Sequence, residues 1–410
     1  MRGQPARFRD CSHLGLAAAL ALVAVYAVQL PGPLRVDTDS AFYLNLAAAF
    51  ADGKGLFPPG EAAFPPGLPA LLGTLDAVGL GSAWAFTLMN FGFLALGLAS
   101  VAVVLHEGLG LSRRATGLLC LLTPLSVYFI KYTLMPLSEI PFFGVASLSV
   151  ALLVLGHRRA SVPLLAAGIA AAAGACTIRT AGVALVPAIV LGFRSTASRT
   201  AAAVGSVALG VGAVLLNPRY LDELRGGWVG STARDVVRQA RLLAELNGAA
   251  LLNVPISRVH LVEPLLVAAG ALALAAVLVA LVRRRHLLNP ADGWLLGSLA
   301  LVYVWPSGHP RFILPFLPLL AGYAWVGAGR RGWLAVGWGA LIAVSGLAAT
   351  VVSVGLAYSG THFPERYASG VLAPTYRVAW GLARPGDRLH VEAQLLRALE
   401  RYDPHPPGVP

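Results

Sequence analysis

Long apolar runs alternate with short polar connections along almost the whole chain. A run of about 17 to 25 apolar residues is long enough to cross the hydrocarbon core of a bilayer as a helix. About eleven runs approach this length, although two of them are short for a full crossing. They lie at residues 14–31, 84–105, 115–130, 140–156, 162–178, 181–193, 201–216, 264–282, 293–306, 312–329 and 332–355. The pattern predicts an all-α, polytopic integral membrane protein.

Arginines in alternate connections predict the orientation of these helices. Positive loops face the cytoplasm, and counting the predicted spans puts all of these arginines on one side. The N-terminus is therefore expected inside, and the chain from about Ala357 is expected outside. The arginines are Arg113 and Arg114, Arg158 and Arg159, Arg194 and Arg199, Arg283 to Arg285, and Arg330 and Arg331. Residues 162–193 fit this rule only as a hairpin, with Arg179 in its outer turn.

Composition agrees with a membrane protein and excludes other classes. The chain is 57% hydrophobic and only 12% charged, whereas soluble domains are about 25% charged. The net charge of +12 resides mostly in arginines of short loops, so we predict no nucleic-acid partner. Arginine-rich, lysine-poor composition favours a bacterial source and hence the bacterial cytoplasmic (inner) membrane. Three cysteines in or beside apolar runs give neither a disulfide framework nor metal-site spacing.

The sequence predicts a membrane domain at 1–356 and a short extracytoplasmic C-terminal segment at 357–410. Within the first domain, two long outer loops are expected at 32–83 and 217–263. In the second loop, "ARDVVRQARLLAEL" places Val236, Val237, Ala240, Leu243 and Ala244 on one helical face and Arg234, Arg238 and Arg241 on the other. This pattern is typical of a helix that lies in the plane of the membrane interface, although it also fits a solvated basic face.

The first outer loop begins with two acids, in "RVDTDSAFYLNLAAAFADGKG". Asp39 stands where a helix N-cap belongs, so capping alone could explain it. A carboxylate at the outer membrane surface can also accept a proton from an attacking hydroxyl or hold a divalent ion. Asp37 and Asp39 are therefore candidate catalytic residues, and Asp39 is also a candidate metal ligand. Tyr43 shares the helical face of Asp39 and is a candidate substrate-binding residue.

Further charged residues are expected at the same outer side. Glu139 precedes the fourth span and is a third catalytic candidate, unless it only favours the helix dipole. Lys131, Arg179, His309 and Arg311 are candidate substrate-binding residues. Arginine binds phosphate oxygens with a planar fork, although each arginine could instead form a structural pair with one of the acids. Together the set predicts transfer of a group from a lipid phosphate, with an aspartate as base and arginines on the leaving phosphate.

Five segments resemble the GT-C superfamily of membrane glycosyltransferases. They are "DSAFYLNLAAAFADGKGL", "FPPGLPALL", "LMPLSEIPFF", "TIRTAGV" and "RFILPFLPLL", with a tail "ARPGDRLHVEAQLLRALERY" similar to a small extracytoplasmic ending. The sequence is most similar to bacterial proteins akin to protein mannosyltransferases and lipid A aminoarabinose transferases, the family 39-like group. Family members often carry two adjacent acids in the first loop, whereas Ser40 follows Asp39 here.

This resemblance implies an inverting glycosyltransferase that uses a polyprenyl-phosphate sugar donor at the extracytoplasmic face. The acceptor class stays open between lipid, glycan and protein. Asp39 takes the place of the catalytic aspartate and Glu139 that of the second acid, while Arg179 and Arg311 become donor-phosphate candidates. A divalent metal ion is a candidate cofactor. The alternative is a transporter or flippase of a lipid-linked or anionic substrate. Two features disfavour it: the sequence shows no internal repeat, and the candidate residues are expected on one face of the membrane.

Overall fold

The computed structural model describes residues 20, 22–56, 64–216, 232–305 and 308–404. Within these residues the protein contains helices and connecting turns but no strands, which confirms the all-α prediction. The α-helices are α1 (Thr38–Ala51), α2 (Gly67–Ala77), α3 (Ala83–Val103), α4 (Arg113–Leu122), α5 (Val127–Thr133), α6 (Glu139–Arg159), α7 (Val162–Ile178), α8 (Val186–Gly192), α9 (Thr196–Leu216), α10 (Ala233–Leu251), α11 (Glu263–Arg283), α12 (Pro290–Val304), α13 (Leu317–Gly327), α14 (Gly332–Ala357), α15 (Phe363–Tyr367), α16 (Leu372–Ala379) and α17 (Ala393–Tyr402).

Four helical stretches of the described chain are long and apolar enough to cross a membrane: Ala83–Gly108, Glu139–Arg159, Glu263–Arg283 and Gly332–Ala357. The segments Arg113–Leu125 and Val127–Thr133 meet at 60° and would together form a fifth span. Other predicted runs are shorter or interrupted, because Pro124, Pro187 and Pro315 each begin a new helical segment. The first predicted run lies mostly outside the described residues. The count of eleven spans therefore stays a prediction.

The central helix of the bundle is α6. Glu139 stands in its first turn and His157, Arg158 and Arg159 in its last turn, so charged side chains complement the helix dipole at both ends. Buried side chains surround most of its length, including Phe143, Val150 and Leu153. Helices α3 and α7 pack against it.

Residues 162–193 form the predicted hairpin. Helix α7 ends at Ile178, Arg179 is extended, and a 3₁₀ segment leads into α8. The Nη2 atom of Arg194 donates to the carbonyls of His157 at 2.6 Å and Arg158 at 2.9 Å. Because this contact returns the chain to the C-terminal end of α6, the hairpin prediction is confirmed and Arg179 lies at the opposite end.

Charged contacts gather at that C-terminal end of α6. Arg158 pairs with Glu107, and Arg284 donates to the carbonyl of Gly108 at 2.6 Å. Arg284 also pairs with the fully buried Asp292, with 3.3 Å between Nε and Oδ1. The loops that hold these arginines thus meet at one end of the bundle, as the charge pattern predicts.

The amphipathic helix predicted within residues 217–263 is present as α10. Its N-cap is Thr232, which forms a capping box with Asp235. Val236 and Val237 are exposed, whereas the second half of the helix, from Ala244 onward, is buried against α11. The predicted helix is therefore confirmed, and its placement in the membrane interface stays a prediction.

The last part of the chain, residues 357–404, is called the tail below. Its helices α15, α16 and α17 follow α14, and α17 packs on α1 of the predicted first loop. Asn45 of α1 donates to the carbonyl of Gln394 at 2.8 Å, and Arg401 pairs with Asp52 at 2.9 Å. The tail and the first loop therefore lie at the same end of the protein.

Candidate functional site

Helix α1 presents Asp39 because a different acid caps the helix. Asp37 is the N-cap, and its Oδ1 accepts a hydrogen bond from the backbone N–H of Ser40 at 2.9 Å. Ser40 completes a capping box by accepting from the N–H of Asp37. The interpretation of Asp39 as the cap is therefore wrong, since only Asp37 has a partner three residues on that can reciprocate. Asp39 falls in the first helical turn, with its carboxylate available for other contacts.

Asp39 pairs with Arg311, which comes from a distant loop. The Nη1 of Arg311 donates to Oδ2 of Asp39 at 2.7 Å. Arg311 lies in the 3₁₀ turn Pro310–Phe312, and the Nδ1 of His309 accepts from its backbone N–H at 3.3 Å. Burial opposes the charge of Arg311, but Glu139 and Asp39 outweigh it and raise the pKa of this guanidinium. The turn therefore holds a permanent positive charge against the first loop.

The buried carboxylate of Glu139 forms ion pairs with both Arg179 and Arg311. Its Oε1 lies 2.6 Å from Nη1 of Arg179 and 3.6 Å from Nε of Arg311. The residue is only 1% exposed. Its Oε2 and the Nε of Arg311 have no hydrogen-bond partner among the described residues. Two arginines thus share one carboxylate, and this leaves donor capacity for an additional anion.

A cavity of about 230 Å³ opens over this cluster. Charged side chains occupy one part of its wall, and α12, the 3₁₀ segment after Arg179 and the Pro315 turn supply an apolar part. The lining includes Asp39, Tyr43, Phe64, Ser138, Glu139, Phe142, Arg179, Ala184, Leu301, Val302, Trp305, Arg311, Phe312 and Phe316. The arrangement suits a ligand with an anionic head and an apolar body.

Aromatic and hydroxyl groups hold the two arginines in place. The ring of Phe312 lies 5.2 Å from the guanidinium carbon of Arg179 and 5.5 Å from that of Arg311. Ser138 accepts from Arg179 and from the hydroxyl of Tyr43, both at 3.4 Å. Burial raises the pKa of Tyr43 to about 12, so this phenol stays neutral and can only donate or accept a hydrogen bond.

Five of the eight predicted site residues meet in this cavity: Asp39, Tyr43, Glu139, Arg179 and Arg311. Lys131, His309 and Asp37 do not line it. Lys131 lies over the ring of Tyr132, with 5.3 Å between Nζ and the ring centroid, and His309 meets the same ring edge-on. Burial, aided by Arg311 and Lys131, lowers the pKa of His309 to about 4, so its imidazole is neutral near pH 7.

Sequence analysis did not single out several lining residues. Ser138 and Phe312 are direct neighbours of Glu139 and Arg311 in the chain, so their adjacency was an available signal. Trp305 stands at the end of the predicted run 293–306, and an aromatic ring at the end of a span normally indicates only an interface anchor. No local sequence pattern predicts its contact with Phe312, which is 5.8 Å between ring centroids.

The described residues contain no group of three or more His, Cys, Asp or Glu side chains that could hold a metal ion. Asp39 is engaged by Arg311, Glu139 by two arginines and Asp37 by the helix cap. This donor set does not fit a divalent cation in the conformation described. The metal at Asp39 stays a prediction, and no reaction step below uses it.

The fold resembles two solved structures of one membrane protein. The crystal structure of ArnT from Cupriavidus metallidurans bound to undecaprenyl phosphate matches with a TM-score of 0.51 and 19% identity, over 95% of this chain and 75% of that chain. The structure of the same protein in the apo state matches with a TM-score of 0.53 and 18% identity, over 96% of this chain and 76% of that chain. No family model and no curated protein matches the chain. At this identity, the similarity establishes a shared fold.

Proposed function

We propose that the protein is an inverting glycosyltransferase that takes a sugar from a polyprenyl-phosphate donor and transfers it to an acceptor hydroxyl. The reaction would occur at the extracytoplasmic face of a bacterial inner membrane. The observation that carries this proposal is the convergence of Asp39, Glu139, Arg179 and Arg311 in one cavity with an apolar wall. The fold shared with ArnT, which was crystallised with undecaprenyl phosphate, supports a lipid-phosphate donor.

The two arginines would bind the donor phosphate. Both guanidiniums line the cavity, and one buried carboxylate serves both of them. As a phosphodiester, the donor phosphate carries one negative charge and two non-bridging oxygens, and it can bind the arginine N–H groups that Glu139 leaves unused. It would, however, compete with Asp39 for the Nη1 of Arg311. Donor binding would thereby release the Asp39 carboxylate at the place where a base is needed.

Asp39 would then accept the proton of the acceptor hydroxyl. The acceptor oxygen attacks the anomeric carbon of the sugar from the side opposite the phosphate, and a new carbon–oxygen bond forms. The bond from that carbon to the phosphate oxygen breaks, and the electron pair leaves with the phosphate. Arg179 and Arg311 stabilise the charge that develops on it. One displacement of this kind inverts the anomeric configuration.

The apolar wall would contact the lipid chain of the donor. Leu301 and Val302 lie in the last turn of α12, and Trp305 is its C-cap. All three line the cavity and give part of its wall an apolar surface. Apolar side chains cannot replace the hydration of a free nucleotide sugar, whereas they suit the first isoprene units of a polyprenyl chain. This placement favours a membrane-borne donor that enters sideways from the bilayer.

The test uses the full chain in liposomes with a panel of radiolabelled polyprenyl-phosphate sugars and extracts of envelope lipids, glycans and proteins as acceptors. We expect one donor to be consumed with release of the polyprenyl phosphate. Asp39→Asn should abolish this release while the protein stays folded. Asp52→Asn is the matched control, because Asp52 ends the same helix but faces Arg401 of the tail.

Two results would overturn the proposal. One is undiminished release by the Asp39→Asn variant, which would remove the proposed base. The other is movement of an intact lipid-linked sugar across the liposome bilayer without cleavage, which would identify a flippase.

A further inference from the structure

An extended segment leads into the helix that carries Asp39. It consists of residues 34–36 and is called the entry segment. All three residues are buried, with exposures of 2% for Leu34, 6% for Arg35 and 0% for Val36. Buried backbone groups need hydrogen-bond partners, and no strand is available among the described residues. The partners of the entry segment therefore have to come from side chains.

The tail supplies those side chains. The hydroxyl of Tyr376 donates to the carbonyl of Leu34 at 2.5 Å and accepts from the N–H of Val36 at 3.1 Å. Asp403 accepts from the N–H of Leu34 at 3.1 Å, and Tyr367 donates to the carbonyl of Val36 at 3.0 Å. Three tail residues thus satisfy four backbone groups of the entry segment.

The entry segment is also tied to the membrane bundle. The guanidinium of Arg35 donates to Oγ of Ser353 at 2.6 Å and to its carbonyl at 2.7 Å. Ser353 belongs to α14, the long helix that precedes the tail. The segment is therefore held between the last membrane helix and the folded tail.

Tyr376 has little freedom to move. It is 0% exposed and packs edge-on against Phe363 at 5.3 Å and against Trp380 at 5.5 Å, measured between ring centroids. Its hydroxyl is thus fixed by the ring packing of the tail. Asp37, the helix cap, follows Val36 directly, and Asp39 lies two residues further on. A displacement of Val36 would be transmitted through the cap to the carboxylate of Asp39.

We propose that Tyr376, with Tyr367 and Asp403, is a positioning residue that fixes Asp39 against the reacting hydroxyl. The hydrogen bonds between the tail and the entry segment do not depend on any activity. Their effect on catalysis rests on the proposed function. Arg179 belongs to another segment of the chain, and Arg311, although it contacts Asp39, is also paired with the buried Glu139. The tail therefore governs turnover more than donor binding.

The kinetic test compares Tyr376→Phe with Tyr358→Phe. The first variant keeps the ring and loses both hydrogen bonds to the entry segment. The second also loses a phenol-to-carbonyl hydrogen bond, since Tyr358 donates to Val28 at 2.6 Å, but it does not touch the entry segment. Small displacements of a reacting group can lower rates by about 100-fold. We expect Tyr376→Phe to lower kcat at least tenfold, with the donor KM within about twofold, and Tyr358→Phe to change neither.

Asp403 offers a rescue comparison. Asp403→Asn keeps an oxygen that accepts from the N–H of Leu34, whereas Asp403→Leu does not. We expect the asparagine variant to retain most of the turnover and the leucine variant to lose it. Equal kcat in both variants, or a parallel loss of donor binding in Tyr376→Phe, would overturn the inference.

Hydrogen exchange followed by mass spectrometry tests the geometry without any substrate. In Tyr376→Phe, the peptide that spans residues 34–43 should exchange faster, while peptides of α6 should be unchanged. Unchanged exchange in the 34–43 peptide would overturn the inference. The wild-type protein could fail to transfer any sugar while Tyr376→Phe still exchanged faster than the wild type in the 34–43 peptide. The proposed function would then fail, but the attachment of the entry segment to the tail would stand.

Discussion

Arg311 and Asp39 are separated by 272 residues in the sequence, yet Nη1 of one lies 2.7 Å from Oδ2 of the other. The contact joins the proposed phosphate-binding group to the proposed base. Each side chain holds the other in place through this contact. A donor phosphate that recruits Arg311 would also change the surroundings of Asp39, so binding and activation of the base are coupled at one contact.

Replacing Arg311 should chiefly weaken donor binding. A hydrogen bond to a charged group contributes about 1.5 to 3 kcal/mol, so Arg311→Ala should raise the donor Kd at least tenfold. Arg311→Lys keeps the charge but not the planar fork and should fall between the alanine variant and the wild type. Titration of donor lipid against protein fluorescence measures the Kd. Arg384→Ala, which removes an exposed arginine of the tail, is the control, and an unchanged Kd in Arg311→Ala would place the phosphate elsewhere.

Glu139 and Arg179 should be strongly coupled in stability. Breaking a buried ion pair costs about 3 kcal/mol or more because the remaining charge is left unpaired. Glu139→Gln and Arg179→Gln should each lower the temperature of unfolding in detergent, and the double variant should lose less than the sum of the two. The matched cycle is Glu107→Gln with Arg158→Gln, a more exposed pair, where the coupling should be below about 1 kcal/mol. Additive losses at Glu139 and Arg179 would contradict the shared network.

His309 should not titrate in the working range. Burial and the neighbouring Arg311 and Lys131 hold its pKa at about 4, and its Nδ1 accepts from the N–H of Arg311. The side-chain oxygen of asparagine can also accept from this N–H, so His309→Asn should leave the rate and its pH dependence between pH 5.5 and 8 unchanged. If the pH–rate profile of the wild type fell below about pH 6.5 and the profile of His309→Asn did not, the imidazole would take part as an acid or base.

Asp403 should make stability fall as pH rises. Burial raises its pKa from 3.8 to about 7, so between these values the folded protein binds more protons than the unfolded protein. The free energy of unfolding therefore decreases as pH rises through this window and is lowest above pH 7. Asp403→Asn stays neutral and should be the more stable protein at pH 8, by up to about 4 kcal/mol, with little difference at pH 4. Thermal unfolding at the two pH values measures this, and a pH-independent difference would contradict the assignment.

The two ends of α6 should face opposite sides of the membrane. The helix runs from Glu139 to Arg159, about 30 Å at 1.5 Å per residue. In a background without the native cysteines, a thiol at Thr38→Cys should react with a membrane-impermeant maleimide on intact cells. A thiol at Arg159→Cys should react only after the cells are opened. The reverse pattern would put Asp39 inside and contradict the proposed site of transfer.

Much of this arrangement follows from local patterns in the sequence. Apolar runs predict the helices, and arginines at alternate connections predict the hairpin around Arg179. The convergence of Asp39, Glu139 and Arg311 follows from their common place at outer helix ends. The cap was misassigned because Asp37 and Asp39 are both suitable residues, and only Ser40, three positions after Asp37, decides between them.

Two features required the three-dimensional structure. Prolines inside apolar runs divide predicted spans into shorter helices, and a hydropathy pattern does not register such breaks. The hydrogen bonds of Tyr376 with the entry segment join residues 340 and 342 positions apart. No periodicity relates residues at such separation, so the role of the tail could not be predicted.

The cationic end of the bundle has a mechanical consequence. Arg158, Arg284 and Arg194 fasten neighbouring loops together there, whereas the opposite end includes the short turns Pro310–Phe312 and Leu314–Phe316 beside the cavity. If the proposed function holds, a donor lipid would have to enter between such interrupted turns, and the fastened end could stay closed during each round of transfer.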